Sequence, residues 1–129
     1  MDSKSDDIHS PYKGKTGLRR IWNAFRYTLQ GLSAAYRNED AFRQEILLAV
    51  VLIPLAFLLA HDGIARAMLI ASVLLVLIVE LVNSAVEAAV DRISLDSHDL
   101  AKRAKDIGSA AVFLSLVNLA VVWLLVLID

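Results

Sequence analysis

Three long apolar runs decide what this chain can become. Ile107 to Ile128 is broken only by Gly108, Ser109, Ser115 and Asn118. Ile64 to Val79 continues into a polar-studded stretch, and from Ala67 to Val79 only Ser72 is polar. Ile46 to Ala60 is preceded by Ala41 to Glu45. A helix that crosses a bilayer needs about 20 mainly apolar residues. The last run meets this outright, the middle run if its helix continues to about Asn83, and the first if it starts near Ala41. Pro54 would be costly in a soluble helix, but membrane helices tolerate it. A soluble bundle of buried helices is the competing reading. It fails on size, because 129 residues, 57% of them hydrophobic, cannot enclose this much apolar surface. The expectation is an all-α membrane protein, one domain over 1–129, with transmembrane helices at 41–60, 64–92 and 104–128.

Charge sets the topology. Lys4, Lys13, Lys15, Arg19, Arg20, Arg26, Arg37 and Arg43 precede the first run, and Arg92, Lys102, Arg103 and Lys105 lie between the second and third. Only Arg66 lies near the His61–Gly63 turn. The positive-inside bias puts the N-terminus and the Ser94–Lys102 loop in the cytoplasm, and the turn and Asp129 outside. A net charge of -1 predicts no nucleic-acid partner, and the absence of cysteine excludes disulfides, thiolate nucleophiles and Cys-based metal sites. Met1 to Ser10 is polar and acidic, without the apolar core of a secretory signal.

Before the first span, Leu18, Ile21, Trp22, Phe25, Leu29, Leu32 and Tyr36 recur at intervals of three and four. That spacing makes one apolar helical stripe. Arg19, Arg20, Asn23, Arg26, Gln30 and Arg37 occupy other faces. Residues 17–37 therefore read as an amphipathic helix on the cytoplasmic membrane surface, with membrane anchoring as its simplest role. Residues 1–16 read as a flexible tail.

The stretch VELVNSAVEAAVDRI, Val79 to Ile93, places Glu80, Asn83, Glu87 and Asp91 in an otherwise apolar helix. At about 100° per residue, the last three fall within about 60° of Glu80, so all four share a face. Counted from Ile64, Glu80 sits just inside the hydrocarbon boundary, with Glu87 and Asp91 in the cytoplasmic interface. A charge at the bilayer centre costs about 2.5–3.5 kcal/mol on insertion scales, and less near the edge. Carboxylates at one depth suit Mg²⁺, a hard cation that prefers oxygen ligands. A carboxylate at the apolar edge suits a general base. Lys105 and Asp106 open the third span at this depth, where Lys105 is able to neutralise a phosphate. Glu39, Asp40, Arg43, Gln44 and Glu45 open the first. The outer layer has only His61, Asp62 and Arg66, so the polar asymmetry points to an interfacial site rather than a path through the membrane.

Plainer readings stand beside these. Asp91 and Arg92 also fit simple helix-end charges, and Asp40 a solvated neighbour of Glu39. Ser109, Ser115 and Asn118 fit helix packing better than ligation. His98, with no second histidine nearby, fits a loop residue better than a metal ligand. Gly14-Lys15-Thr16 is not a P-loop, because His9 stands where that pattern needs glycine and no strand precedes it. No Gly-rich kinase loop, HRD or DFG set is present.

NEDAFRQE (Asn38 to Glu45), VELVNSAVEAAVDRI and AKRAKDIGSAAV (Ala101 to Val112) together resemble the small prokaryotic diacylglycerol kinase family of integral membrane proteins, over nearly the whole chain from Gly17. The resemblance implies a surface helix plus three membrane helices, assembled as a homotrimer with active sites shared between subunits. It implies a bacterial inner-membrane enzyme, with a cytoplasmic N-terminus and a periplasmic C-terminus. That enzyme transfers the γ-phosphoryl of MgATP to a lipid hydroxyl. On this resemblance Glu80 matches the general base, Asn83 a polar active-site residue beside it, and Glu39 and Glu87 the Mg²⁺ carboxylates. Arg20, Tyr27, Glu39, Glu87, Asp96, Ser97, His98, Lys105 and Asp106 match ATP contacts, and Arg43, Gln44, Glu45, Glu80 and Ser109 the lipid-site region. Gram-positive relatives with the same motifs phosphorylate undecaprenol, but DRI and KDIGSAAV look closer to the diacylglycerol type. A different class is a non-enzymatic helical subunit or proton-conducting bundle with Glu80 as proton carrier. It would need polar residues along the full span, and Ala67 to Val79 supplies only Ser72.

Overall fold

A computed structural model of the chain describes residues 13–93 and 98–129. It contains α1 (Lys13–Asn38), α2 (Asp40–Leu59), α3 (Gly63–Ile93) and α4 (His98–Ile128). Three of them, over Asp40–Leu59, Gly63–Ile93 and Asp99–Ile128, are long and apolar enough to cross a membrane. Helix α4 begins at His98 rather than at 104, because hydropathy marks where a helix turns apolar and not where it starts. Leu100-Ala101-Lys102-Arg103-Ala104-Lys105 are all strong helix formers and extend the helix beyond its apolar part. His98 is thus the first helical residue and not a loop residue, and Asp99 to Lys102 leave the expected loop for the helix. The same correction applies at the N-terminal end, where α1 takes in Lys13 to Thr16, expected to be tail.

The chain falls into two compact units, Met1–Arg37 and Asn38–Asp129. In the first, Thr28 donates to the Ala24 carbonyl at 2.8 Å, and the Trp22 and Phe25 rings stack with centroids 6.1 Å apart. Leu18, Ile21, Trp22, Phe25 and Leu29 are exposed along α1.

In the second unit, α3 packs along both α2 and α4. Ala49 of α2, Val73 and Val76 of α3, and Leu119 of α4 form the buried core, with Leu52, Ile53, Leu77 and Trp123 against it. Asp62 starts α3: its carboxylate accepts from the Ala65 N–H at 2.8 Å, satisfying one of the helix's orphan donors. Above it, the Arg66 guanidinium lies 5.4 Å from the Phe57 ring centroid, a cation–π contact.

Ser72 is buried and fully engaged. Its hydroxyl donates to the Leu69 carbonyl at 2.7 Å and accepts from the Trp123 indole N–H at 3.1 Å. The one polar residue of Ala67 to Val79 therefore docks α4 on α3, and no ladder of polar groups continues from it. Trp123→Phe removes that interhelical donor and should lower stability by about 0.6 kcal/mol, the usual size of such bonds in membrane bundles. The midpoint shift in a detergent-denaturation titration measures it. Ser115 is buried and donates to the Val112 carbonyl of its own helix at 2.7 Å, as a packing residue does. Ser109 and Asn118 are exposed on α4.

Candidate active site

Phe42 and Ala49 bury one side of α2 against α3, and the same helical face carries Glu45 inward. On α3 the buried series Leu69, Ser72, Val73, Val76, Glu80, Asn83 runs down a single face. Core packing therefore fixes the polar residues: the stripe that buries valines and leucines in the apolar half buries Glu80 and Asn83 one and two turns on. Glu80 is 3% exposed and Asn83 7%.

Glu80, Asn83 and Glu87 form one unit. The Asn83 Nδ2 donates to Glu87 Oε1 at 2.9 Å, and the same amide lies within reach of Glu80. Glu39 joins them from the start of α2. It occupies the N-cap position, where its carbonyl accepts from the Arg43 N–H at 3.3 Å, but its carboxylate makes no capping bond. That leaves the carboxylate free to act elsewhere, and its charge is felt at Glu80, as is that of Glu87. Glu45 also feels the charge of Glu80, and its Oε2 is buried with no hydrogen-bond partner. Four carboxylates thus meet in one layer. Glu45 and Glu80 are buried while Glu39 and Glu87 are half-buried, so their like charges repel and the layer is suited to receive a cation.

Lys105 of α4 brings a cation to the Glu87 end of the layer: it pairs with Asp91 at 2.6 Å and also feels Glu87. Asp91 is therefore more than a helix-end charge, because it holds Lys105 beside the carboxylate layer. Asp106 is not brought there. Consecutive residues stand about 100° apart on a helix, and Asp106 instead pairs with Lys102 at 2.7 Å. It lines an open groove with Asp99, Lys102, Arg103, Ile107 and Ala110. Arg43 is half-buried and paired with Asp40, while Gln44 and Ser109 are exposed. Arg20 and Tyr27 are exposed on α1, in the first unit. Asp96 and Ser97 lie outside the described residues, as does the His98 side chain.

Sequence reading passed over Gly108, which here lies directly against the Asn83 amide. The signal was present: a glycine in an otherwise apolar helix marks a close backbone approach. What it approaches depends on which helix lies opposite.

Residues 26–127 match the sequence model of a family described as prokaryotic diacylglycerol kinase. The chain belongs to this family. A diacylglycerol kinase of Pseudomonas aeruginosa is 58% identical over 119 residues, 92% of this chain and 97% of that protein. One from Haemophilus influenzae is 52% identical over 108 residues, 84% of this chain and 92% of that protein. One from Escherichia coli is 47% identical over 112 residues, 87% of this chain and 92% of that protein. The family match takes in the whole carboxylate layer, Lys105 and Tyr27, and begins after Arg20.

Proposed function

We propose that this family member is an ATP-dependent diacylglycerol kinase of the bacterial inner membrane, giving phosphatidic acid. The observation that carries the reading is the buried Glu80 at the polar end of an apolar span, one turn before the hydrogen-bonded Asn83–Glu87 pair. A lipid alcohol reaches such a depth from the membrane, and a nucleotide reaches it from water. The lipid hydroxyl oxygen bonds to the γ-phosphorus, the bond to the β-phosphate bridging oxygen breaks, and ADP leaves. Glu80 takes the hydroxyl proton. Asn83 orients Glu87 through its amide. Lys105 exchanges Asp91 for phosphate oxygen, and the remaining nucleotide contacts come from Arg20, Tyr27, Asp106 and the 96–98 segment.

Mg²⁺ fits the donor set. Among the described residues no group of three acids or histidines is placed to hold a metal by itself. Mg²⁺ ordinarily takes one or two carboxylates plus substrate phosphates, and Glu39 and Glu87 would supply those carboxylates. When bound it neutralises charge on the phosphates during transfer. Glu39→Gln and Glu87→Gln should each raise the Mg²⁺ concentration for half-maximal rate, by about tenfold or more. An unchanged Mg²⁺ titration in both variants removes them from the metal site.

The positive-inside bias supports a cytoplasmic N-terminus and site, with Asp129 outside. The exposed apolar residues of α1 support its lying along the cytoplasmic membrane surface. Purified protein in lipid vesicles with radiolabelled ATP tests the whole reading. Label should move to diacylglycerol, and undecaprenol in a parallel sample should be the poorer acceptor. Preference for undecaprenol reverses the substrate assignment, and transfer to neither lipid removes the kinase reading.

A further inference from the structure

We propose that Gly108 is a positioning residue of the site, holding the Asn83 amide in the one orientation that serves Glu87. The inference rests on the kinase reading for its consequences in turnover, but its geometry stands apart from it. A Cβ built on Gly108 collides with Asn83 Oδ1 and comes within 3.2 Å of Asn83 Cγ, whereas Gly17, Gly31 and Gly63 have nothing within 4 Å. The bare Cα of α4 is thus the surface on which the Asn83 side chain of α3 rests. Asn83 is 7% exposed, so the amide has little room to retreat.

The amide's two ends are not equivalent. Nδ2 donates to Glu87 Oε1 at 2.9 Å, while Oδ1 is buried with no hydrogen-bond partner. Turning the amide over would set its oxygen against the Glu87 carboxylate, which repels it. The hydrogen that replaces a side chain at Gly108 points toward Oδ1, so glycine supplies both the space and a weak C–H donor where no N–H or O–H reaches. A methyl there must displace the amide and with it the hydrogen bond that orients Glu87. Hydrogen bonds to charged groups contribute enough to turn this into a loss of about 10- to 100-fold in kcat.

Alanine is the better helix former, so Gly108→Ala does not weaken α4 through propensity. Two measurements separate positioning from general damage. The first compares Gly108→Ala in the native background with Gly108→Ala in an Asn83→Ala background. Asn83→Ala removes the atoms with which the methyl collides. The second substitution should then cost less than about twofold, although it costs 10- to 100-fold alone. An equal cost in both backgrounds, or none in either, overturns the proposal. Should Gly108→Ala alone fail to insert, insertion restored by adding Asn83→Ala supports the pairing, and insertion not restored overturns it. The second measurement is the Asn83 side-chain amide signal in ¹⁵N NMR of the detergent-solubilised protein, assigned by its loss in Asn83→Ala. Gly108→Ala should move it, and an unmoved signal overturns the proposal. This readout needs no substrate, so a chain inactive on both lipids would remove the kinase reading and leave Gly108 to be judged by the amide alone.

Discussion

Glu80→Gln should lower lipid phosphorylation by about 10²–10⁴-fold, the usual loss when a general base is removed, while the protein inserts and assembles as before. The substitution keeps size, shape and the ability to hydrogen bond to the neighbouring Asn83. It removes proton-accepting capacity and one negative charge from the carboxylate layer. Because Glu80 is buried among like charges from Glu39, Glu45 and Glu87, neutralising it relieves repulsion. Stability should therefore hold or rise as turnover falls. That opposite movement is what distinguishes a chemical role from a structural one. A structural carboxylate would lose both together. Radiolabelled-ATP transfer gives the rate, and the denaturation midpoint in detergent gives the stability. Turnover like that of the native chain in the Gln variant would falsify the assignment of Glu80 as base.

Mixing two inactive variants should restore activity if, as the family resemblance implies, each site is built from two chains. Asp106 pairs with Lys102 and lines an open groove on α4. Only 11% of the spanning window of α4 is buried among the described residues, so much of this apolar helix is left uncovered there. Lipid or a neighbouring copy would cover it, and the resemblance of the motifs implies three copies. One subunit would carry Glu80→Gln and the other Arg20→Ala or Tyr27→Ala, each chosen for being inactive alone. If Glu80 comes from one chain and the N-terminal nucleotide contacts from the next, some mixed assemblies regain one intact site and a measurable fraction of native turnover. Co-assembly is confirmed by pull-down through a tag on one variant. Absence of recovery in such confirmed mixtures means each chain holds its own complete site.

The helices and the polar layer were legible because both rest on local periodicity. An apolar run of spanning length can satisfy its backbone in lipid only as a helix. Once Val79 to Ile93 is helical, Glu80, Asn83 and Glu87 must share a face, whatever packs against it. Lengths and charge bias fixed the spans in the same way, but not the start of α4, since Leu100 to Lys105 are helix formers of mixed polarity. Hydropathy is silent about such residues.

What the amino-acid order determined by itself is therefore the set of helices and the face each polar residue occupies. Which faces meet was decided by the tertiary structure. Lys105 and Asp106 are neighbours in sequence, yet packing brings Lys105 to Asp91 of α3 at 2.6 Å, while Asp106 pairs with Lys102 one turn back on its own helix. Gly108 gives no sign along the chain of facing Asn83, because the two lie on different helices and touch only through the register at which α3 and α4 dock. That register depends on the fit of Val73, Val76, Leu119 and Trp123. Such a fit is a property of two surfaces together, and neither helix encodes it alone.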